Sequence, residues 1–192
     1  MRTLKIFEHT SLDGVVQHSA DENTFPYSNW TVPFRTPEGL AKLCALYGET
    51  YDVLLGRRTY DILGAFWPTA PSGPVSDRIN AGRKYVATHR AEGMAWGPFE
   101  IVGPDLAEGV RRLKSQPGPN IVVLGSSTLL TPLLEEGLVD ELVVSVFPVL
   151  LGTGKRLFAE GIAQAFEFIA THTTSTGVVL NRYKPTGGLK IS

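Results

Sequence analysis

Apolar positions along this chain fall into short compact runs separated by longer amphipathic stretches. Leu4 to Thr10 has the length and apolar run of a strand, and Ser11 to Gly14 closes it with a turn. Thr36, Pro37 and Glu38 then form a helix start: a capping hydroxyl, a proline tolerated in the first turn and an acid favoured by the helix dipole. That helix is expected to run to about Tyr47, where Gly48 ends it. Asp52 to Leu55 reads as a short buried strand, Arg57 to Leu63 as a helix, Ala65 to Pro74 as a Pro-rich loop, and Lys84 to Thr88 and Phe99 to Val102 as strands. Leu106 to Ser115 reads as a helix, Asn120 to Leu124 as a strand, and Ser126 to Glu136 as a helix stopped by Gly137.

This alternation predicts an α/β fold with a largely parallel central sheet. From Val139 the pattern changes, because Glu141 to Val149 and Phe166 to Arg182 read as strands, the latter turning at Thr176-Gly177. An antiparallel C-terminal hairpin is therefore added to the parallel body. Residues 1–184 read as one domain and 185–192 as a frayed tail. Residues 17–36 form a long loop that still carries Phe25, Tyr27, Trp30 and Phe34, and ordered loops of this length commonly cover a ligand. Trp30 is the loop's candidate substrate contact.

Composition narrows the function classes. With 192 residues, 43% of them hydrophobic, the chain can bury one ample core. Its 18 basic and 19 acidic side chains leave a net charge of -1, so no bulk attraction draws it to nucleic acid or an anionic membrane, and neither is expected as a partner. No window reaches the ~18 apolar residues of a membrane span, and MRTLKIFEHT lacks a signal-peptide core, so a cytoplasmic protein is expected. Cys44 is the lone cysteine, which excludes an intramolecular disulfide and a Cys-rich zinc site; flanked by Leu43 and Leu46 it reads as a core thiol. His9, His18, His89 and His172 are scattered, and no metal is expected.

Candidate chemistry collects where strands feed helices, at Gly56-Arg57-Arg58-Thr59, Thr88-His89-Arg90 and Gly125-Ser126-Ser127-Thr128. In open α/β sheets ligands bind at that edge, where helix N-termini converge. A glycine after a strand lets backbone approach a phosphate, and the free N–H groups of the next helical turn can donate to it, so Gly125, Ser126 and Ser127 suit a pyrophosphate. Arg57, Arg58 and Thr59 would complement them from the neighbouring turn. Each turn alone reads equally well as a plain strand-to-helix connection with a cap. Neither a GxGxxG after the first strand nor a GxxxxGK[ST] loop is present, so a nucleotide would have to bind in another way.

Four segments together carry a family resemblance: SLDG at Ser11 to Gly14, LLGRRTY at Leu54 to Tyr60, ATHR at Ala87 to Arg90, and LGSSTLLTPLLEEGLVDELVVSVFPVLLGTGKRLF at Leu124 to Phe158. In this order and spacing the chain resembles the reductase domain of the bifunctional riboflavin-biosynthesis enzyme and its dihydrofolate-reductase-like relatives. The resemblance implies a three-layer αβα fold around a mixed, mainly parallel sheet, with NADPH extended along the strand ends. It implies that Gly56 to Thr59 and Gly125 to Ser127 grip the pyrophosphate and that Thr88, His89 and Arg90 lie beside the ribose 2′-phosphate. By the same resemblance the backbone near His9 and Val16 faces the nicotinamide, and Ser11 and Asp13 border a heterocyclic substrate. Asp13 either orients a substrate amine or caps its own turn.

In dihydrofolate reductases a first-helix carboxylate pairs with the pterin, and Glu38 is the nearest candidate here, two positions removed from a gap-free match and better placed for a capping role in the helix's first turn. The zinc deaminase signature of the bifunctional enzyme, His-x-Glu with Pro-Cys-x-x-Cys, is missing. The implied activity is hydride transfer from NADPH to a pteridine-like or pyrimidine-like heterocycle or its ribosylamino derivative. A non-catalytic NADP(H)-binding protein of the same fold is the alternative. Strands over Val139 to Leu151 and Phe166 to Tyr183 are apolar and long for an exposed edge, so a homodimer is expected.

Overall fold

The computed structural model describes residues 1–18, 25–158 and 162–191. Strand β1 (Leu4–Thr10) lies near the middle of an eight-stranded sheet ordered β4-β3-β2-β5-β1-β6-β8-β7. The other strands are β2 (Tyr51–Gly56), β3 (Lys84–Ala87), β4 (Phe99–Ile101), β5 (Asn120–Leu124), β6 (Glu141–Val146), β7 (Gln164–Thr173) and β8 (Val179–Gly188). Neighbours from β4 through β6 are parallel, and β8 and β7 join antiparallel. The mixed sheet with its C-terminal hairpin is thus the architecture read from the sequence. After β1 the chain builds outward through β2, β3 and β4, then returns to insert β5 between β1 and β2 and to add β6 on the far side of β1. A crevice opens at such a reversal of strand order.

Helices α1 (Pro37–Tyr47), α2 (Arg57–Phe66) and α3 (Pro74–Ala81) cover one face, where Tyr47, Tyr60 and Ile79 pack on Phe7, Val53, Leu55, Val122 and Val143. Helices α4 (Leu106–Ser115) and α5 (Ser127–Glu135) cover the other, where Leu113, Leu130 and Leu133 meet Leu4, Ile6, Ile121, Val123 and Leu142. Consecutive strand residues alternate between these two layers, as the pleat requires. A third cluster of Val15, Phe25, Trp30, Phe147, Val178 and Leu180 fills the corner beyond β6. Cys44 is buried, as its apolar flanks suggested.

Several elements depart from the sequence reading. Helix α3 begins at Pro74, where the expected loop ended, and fills a stretch to which no element was assigned; it buries just Ser76 and Ile79, too little apolar pattern to stand out. β6 stops at Val146, just before Pro148, which has no N–H for a ladder. The supposed tail is part of the sheet through Gly188, with Pro185 opposite Phe166 and Gly188 opposite Gln164. Proline is tolerated there because β8 has its last β6 partner at Tyr183, so one flank of the strand needs no donor. The boundary at 184 is corrected accordingly.

Candidate active site at the strand ends

The carboxyl ends of β1, β2, β3 and β5 share one edge, and the turns that follow them are tied together. Gly125 and Ser126 are both left-handed, with φ of +58° and +61°. This lifts the Ser126 side chain across to β2, where Oγ accepts from Gly56 N at 2.8 Å and donates to Thr59 Oγ1 at 2.8 Å. Ser126 therefore bridges the two turns rather than capping α5. A Cβ on Gly125 would lie 3.2 Å from Thr59 Cγ2, so glycine is needed for both conformation and clearance. At the start of α5 the N–H groups of Ser127 and Thr128 have no acceptor among the described residues. They are the unsatisfied donors that an anion takes up at a helix N-terminus.

Arg57 has a different place from the one expected. Its Nε donates to Asp61 at 2.9 Å, and its Nη1 and Nη2 donate to the carbonyls of Arg90 and Glu92, each at 2.8 Å. The guanidinium is thus a strut that fixes the turn after β3, and its role is corrected from phosphate contact to positioning. Thr88 Oγ1 accepts from Arg90 N at 3.1 Å within that turn, and His89 and Arg90 are exposed beyond it. Arg58 lies in the first turn of α2 beside Thr59. Three turns distant in sequence are in this way cross-linked into one shelf.

At the end of β1, Ser11 and Asp13 are occupied structurally. Ser11 Oγ donates to Asp13 Oδ1 at 2.6 Å and accepts from Val15 N at 2.9 Å. Asp13 also accepts from Leu151 N at 3.1 Å and Gly152 N at 2.8 Å, clamping the turn to the loop after β6. The Ser11 hydroxyl, followed by the Leu151 N–H, holds the Asp13 carboxyl at about 2, so it is ionised and its oxygens are engaged. Of the two readings of Asp13, the structure supports the cap. Val16 N donates to Lys155 O at 2.8 Å in the same seam, so that N–H does not face a ligand. Gly154 lies close against Val15 and Phe25 there, where a Cβ would come within 2.6 Å of Val15 Cγ1.

Two further assignments are corrected. Trp30 is 8% exposed, donates to Gln17 O at 2.8 Å and packs edge-on against Phe147, which makes it a core residue and not a substrate contact. Glu38 lies in the first turn of α1, half-exposed and 3.1 Å from His172 Nε2 on β7, three strands across the sheet from β1. It is a dipole-favoured first-turn acid.

The resemblance set the backbone near His9 beside the nicotinamide, but the surroundings of its ring were not marked in the sequence. By alternation this ring shares the α1 side with Phe7, and it packs 5.2 Å from the Phe147 ring. No hydrogen bond ties it to a described residue. Burial, then His18 and Arg35, push its pKa down to about 4. His18 Nε2 is 2.6 Å from Thr31 Oγ1, to which Arg35 Nη2 also donates at 3.2 Å, and burial followed by Arg35 lowers the pKa of His18. Glu8, 6% exposed, has an Oε1 with no partner, and burial raises its carboxyl to about 8. No signal in the chain's periodicity could have joined positions 9, 18 and 35.

Two open hollows lie elsewhere, of about 500 Å³ beside Arg2 and Asp52 and about 650 Å³ along the outer side of α1. The first is at the opposite end of the strands, and its charged groups are paired with each other. Among the described residues no cluster of metal-ligating side chains is found and no helix is long and apolar enough to cross a membrane.

Comparison with known proteins agrees with the fold. The RibD C-terminal domain family matches residues 2–180. The chain is 31% identical over 133 residues to the uncharacterized protein YyaP of Bacillus subtilis, covering 66% of this chain and 70% of that protein. Among solved structures it resembles a protein of Shewanella sp. PV-4 named for riboflavin biosynthesis, with a TM-score of 0.67 at 21% identity over 96% of this chain and 99% of the other. It also resembles the diaminohydroxyphosphoribosylaminopyrimidine deaminase/5-amino-6-(5-phosphoribosylamino)uracil reductase of Thermotoga maritima, with a TM-score of 0.64 at 13% identity, covering 96% of this chain and 56% of that one.

Proposed function

The chain belongs to the RibD C-terminal domain family, and from that premise we propose that it is an NADPH-dependent reductase of a pyrimidine-like or pteridine-like heterocycle or its ribosylamino derivative. The observation that carries this reading is the cross-linked shelf at the strand ends, where the unengaged N–H groups of Ser127 and Thr128 meet a glycine turn held by Ser126. These groups fit a diphosphate, with Gly56, Thr59, Gly125 and Ser127 as its cradle and Arg58 beside it. Arg90, with Thr88 and His89, suits a 2′-phosphate, because its side chain is exposed and makes no hydrogen bond to a described residue. When bound, the nicotinamide supplies hydride; the protein orients it near His9 and excludes water. The resemblance to a uracil reductase supports the substrate class, and a cytoplasmic location belongs to the same proposal.

A homodimer is part of it too. β7 is an edge strand of ten residues, with Phe168 and Ile169 exposed. An irregularity between Phe168 and Ala170 breaks its ladder, which favours packing through the sheet face over edge-to-edge pairing.

The test is to titrate NADPH into wild type and Gly125→Val while following cofactor fluorescence, then to assay NADPH oxidation on a panel of heterocycles. Wild type should bind, and the variant should lose about a hundredfold in affinity, because the branched side chain strains a left-handed residue and crowds Thr59. Equal affinity in a folded variant would remove the turn from the site. Tight binding with no turnover on any heterocycle would favour the non-catalytic NADP(H)-binding alternative.

A further inference from the structure

Strands β2 and β3 run side by side with Gly56 opposite Ala87, so the turn that opens α2 lies next to the turn that carries Thr88, His89 and Arg90. Arg57 belongs to both. Its backbone is the first helical residue after Gly56, whose N–H is held by Ser126, and its guanidinium reaches the second turn, donating to the carbonyls of Arg90 and Glu92 at 2.8 Å each. Resting on the reductase reading above, we propose that Arg57 is a positioning residue for cofactor choice: it sets the backbone of Arg90 so that this side chain meets a ribose 2′-phosphate, and it ties that subsite to the diphosphate shelf.

The backbone of Arg90 is fastened on both sides of its Cα. Its carbonyl accepts from Arg57 Nη1 and, at 3.2 Å, from Thr88 Oγ1, while its N–H donates back to Thr88 Oγ1 at 3.1 Å. The side chain itself is exposed and makes no hydrogen bond to a described residue. A cation mounted on a fixed backbone has less freedom to lose when a phosphate arrives. The far end of the same loop is fastened separately: Tyr60 Oη donates to Trp96 O at 3.0 Å, Trp96 Nε1 to Asn80 Oδ1 at 2.9 Å, and the buried Lys84 Nζ to Gly97 O at 3.0 Å. Helix α2 thus grips the loop at two points, through Tyr60 at its buried end and through Arg57 in the exposed stretch from His89 to Gly93.

The chemistry of the brace calls for arginine. Nε lies 2.9 Å and 3.0 Å from the two carboxylate oxygens of Asp61, one turn along α2, which aims the planar fork and offsets its charge. Nη1 and Nη2 are then spread to two different carbonyls. An ammonium carries its donors on one nitrogen and does not span three acceptors spread in this way. Each guanidinium nitrogen of Arg57 donates to protein, so the residue acts on the turn that holds Arg90 and not on the phosphate.

The experiment is a double-mutant cycle read as cofactor affinity, with NADPH and NADH titrated into wild type, Arg57→Ala, Arg57→Lys, Arg90→Ala and the Arg57→Ala/Arg90→Ala pair. Arg57→Ala should lose about tenfold in NADPH affinity and less than about twofold in NADH affinity, and Arg57→Lys, which keeps the charge, should lose nearly as much. With Arg90 already alanine, Arg57→Ala should change NADPH affinity by less than about twofold, because the side chain to be positioned is gone. Asp61→Asn, a half-exposed site that leaves Arg57 in place, should show the same selective loss at about two- to threefold, and it decides the matter if Arg57→Ala does not fold. Equal losses for NADPH and NADH, full rescue by lysine, or losses that multiply in the double variant each overturn the proposal, the last two by putting the charge of Arg57 on the phosphate itself. Equal affinity of the wild type for both cofactors also overturns it. Failure of NADPH to bind the wild type would instead overturn the reductase reading.

Discussion

The two ends of the parallel strands treat charge in opposite ways. At the amino ends the buried ions are engaged: Arg2 meets Asp52 and donates to Tyr85 Oη at 3.0 Å, Lys114 meets Asp140, Glu141 sits between Lys5 and Arg182, and the fully buried Lys84 donates to the carbonyls of Asn80 and Gly97. Asp140 also accepts from Leu4 N at 2.7 Å, and Asp52 from Arg83 N at 2.8 Å, so those carboxylates fasten strands as well as charges. At the carboxyl ends, His9, His18 and Arg35 gather without an acid among the described residues, Arg90 is exposed, and Glu8 is an acid without a cation. One end is fastened by charge pairs and carbonyl contacts, and the other keeps its basic groups apart from acids among the described residues. Unfavourable isolated groups of this kind collect where ligands bind.

The largest expected effect lies at the amino end. Asp52→Ala leaves the Arg2 side chain, 2% exposed, without its carboxylate and should cost ~3–5 kcal/mol in urea unfolding, with NADPH affinity in the folded fraction unaltered. A cost below ~1 kcal/mol would show that the amino-end pairing is ornamental and would dissolve the contrast.

Glu8→Gln tests the carboxyl end with the opposite sign. Burial holds the Glu8 carboxyl up at about 8, so the folded state keeps its proton where the unfolded state, at an ordinary 4.5, has lost it. Stability from this group is therefore whole below pH 4.5, falls as pH rises toward 8, and levels off beyond. Glutamine has no such loss, so relative to wild type the variant should gain ~2–4 kcal/mol between pH 4 and pH 8. A difference that does not change with pH would mean that Glu8 is paired in solution.

Arg90→Ala should have the smallest effect and the most selective one. NADPH binding should weaken by ~1.5–3 kcal/mol, the scale of a charge-assisted hydrogen bond, while NADH binding stays nearly constant. Parallel losses for both cofactors, or none, would take Arg90 out of the carboxyl end's functional set.

The sequence was informative where local chemistry alone decides the structure. β1, α1, α4 and β5 matched their expected bounds because caps, glycines and apolar runs are written within each segment. The shelf's glycines and hydroxyls were visible for the same reason. What Arg57 and Ser126 do with their side chains was not, since one reaches 33 and 35 residues along the chain and the other 70 residues back. Asp13 shows the point well: its own turn was legible, yet its bonds to Leu151 and Gly152 depend on where β6 ends beside β1. Arg35 and His18 were overlooked because the loop that carries them has no periodicity from which to infer a direction.

Ser126 has a consequence for the order of events in folding. Its hydroxyl can reach Gly56 and Thr59 only after β5 has slotted between β1 and β2, a closure of long chain separation that is slow relative to helix formation. Half-assembled sheets therefore have no shelf, and a diphosphate has nothing to hold until the central strand is home. A ligand that binds there stabilises the completed sheet alone, by mass action, so saturating cofactor should slow global unfolding while leaving early collapse untouched.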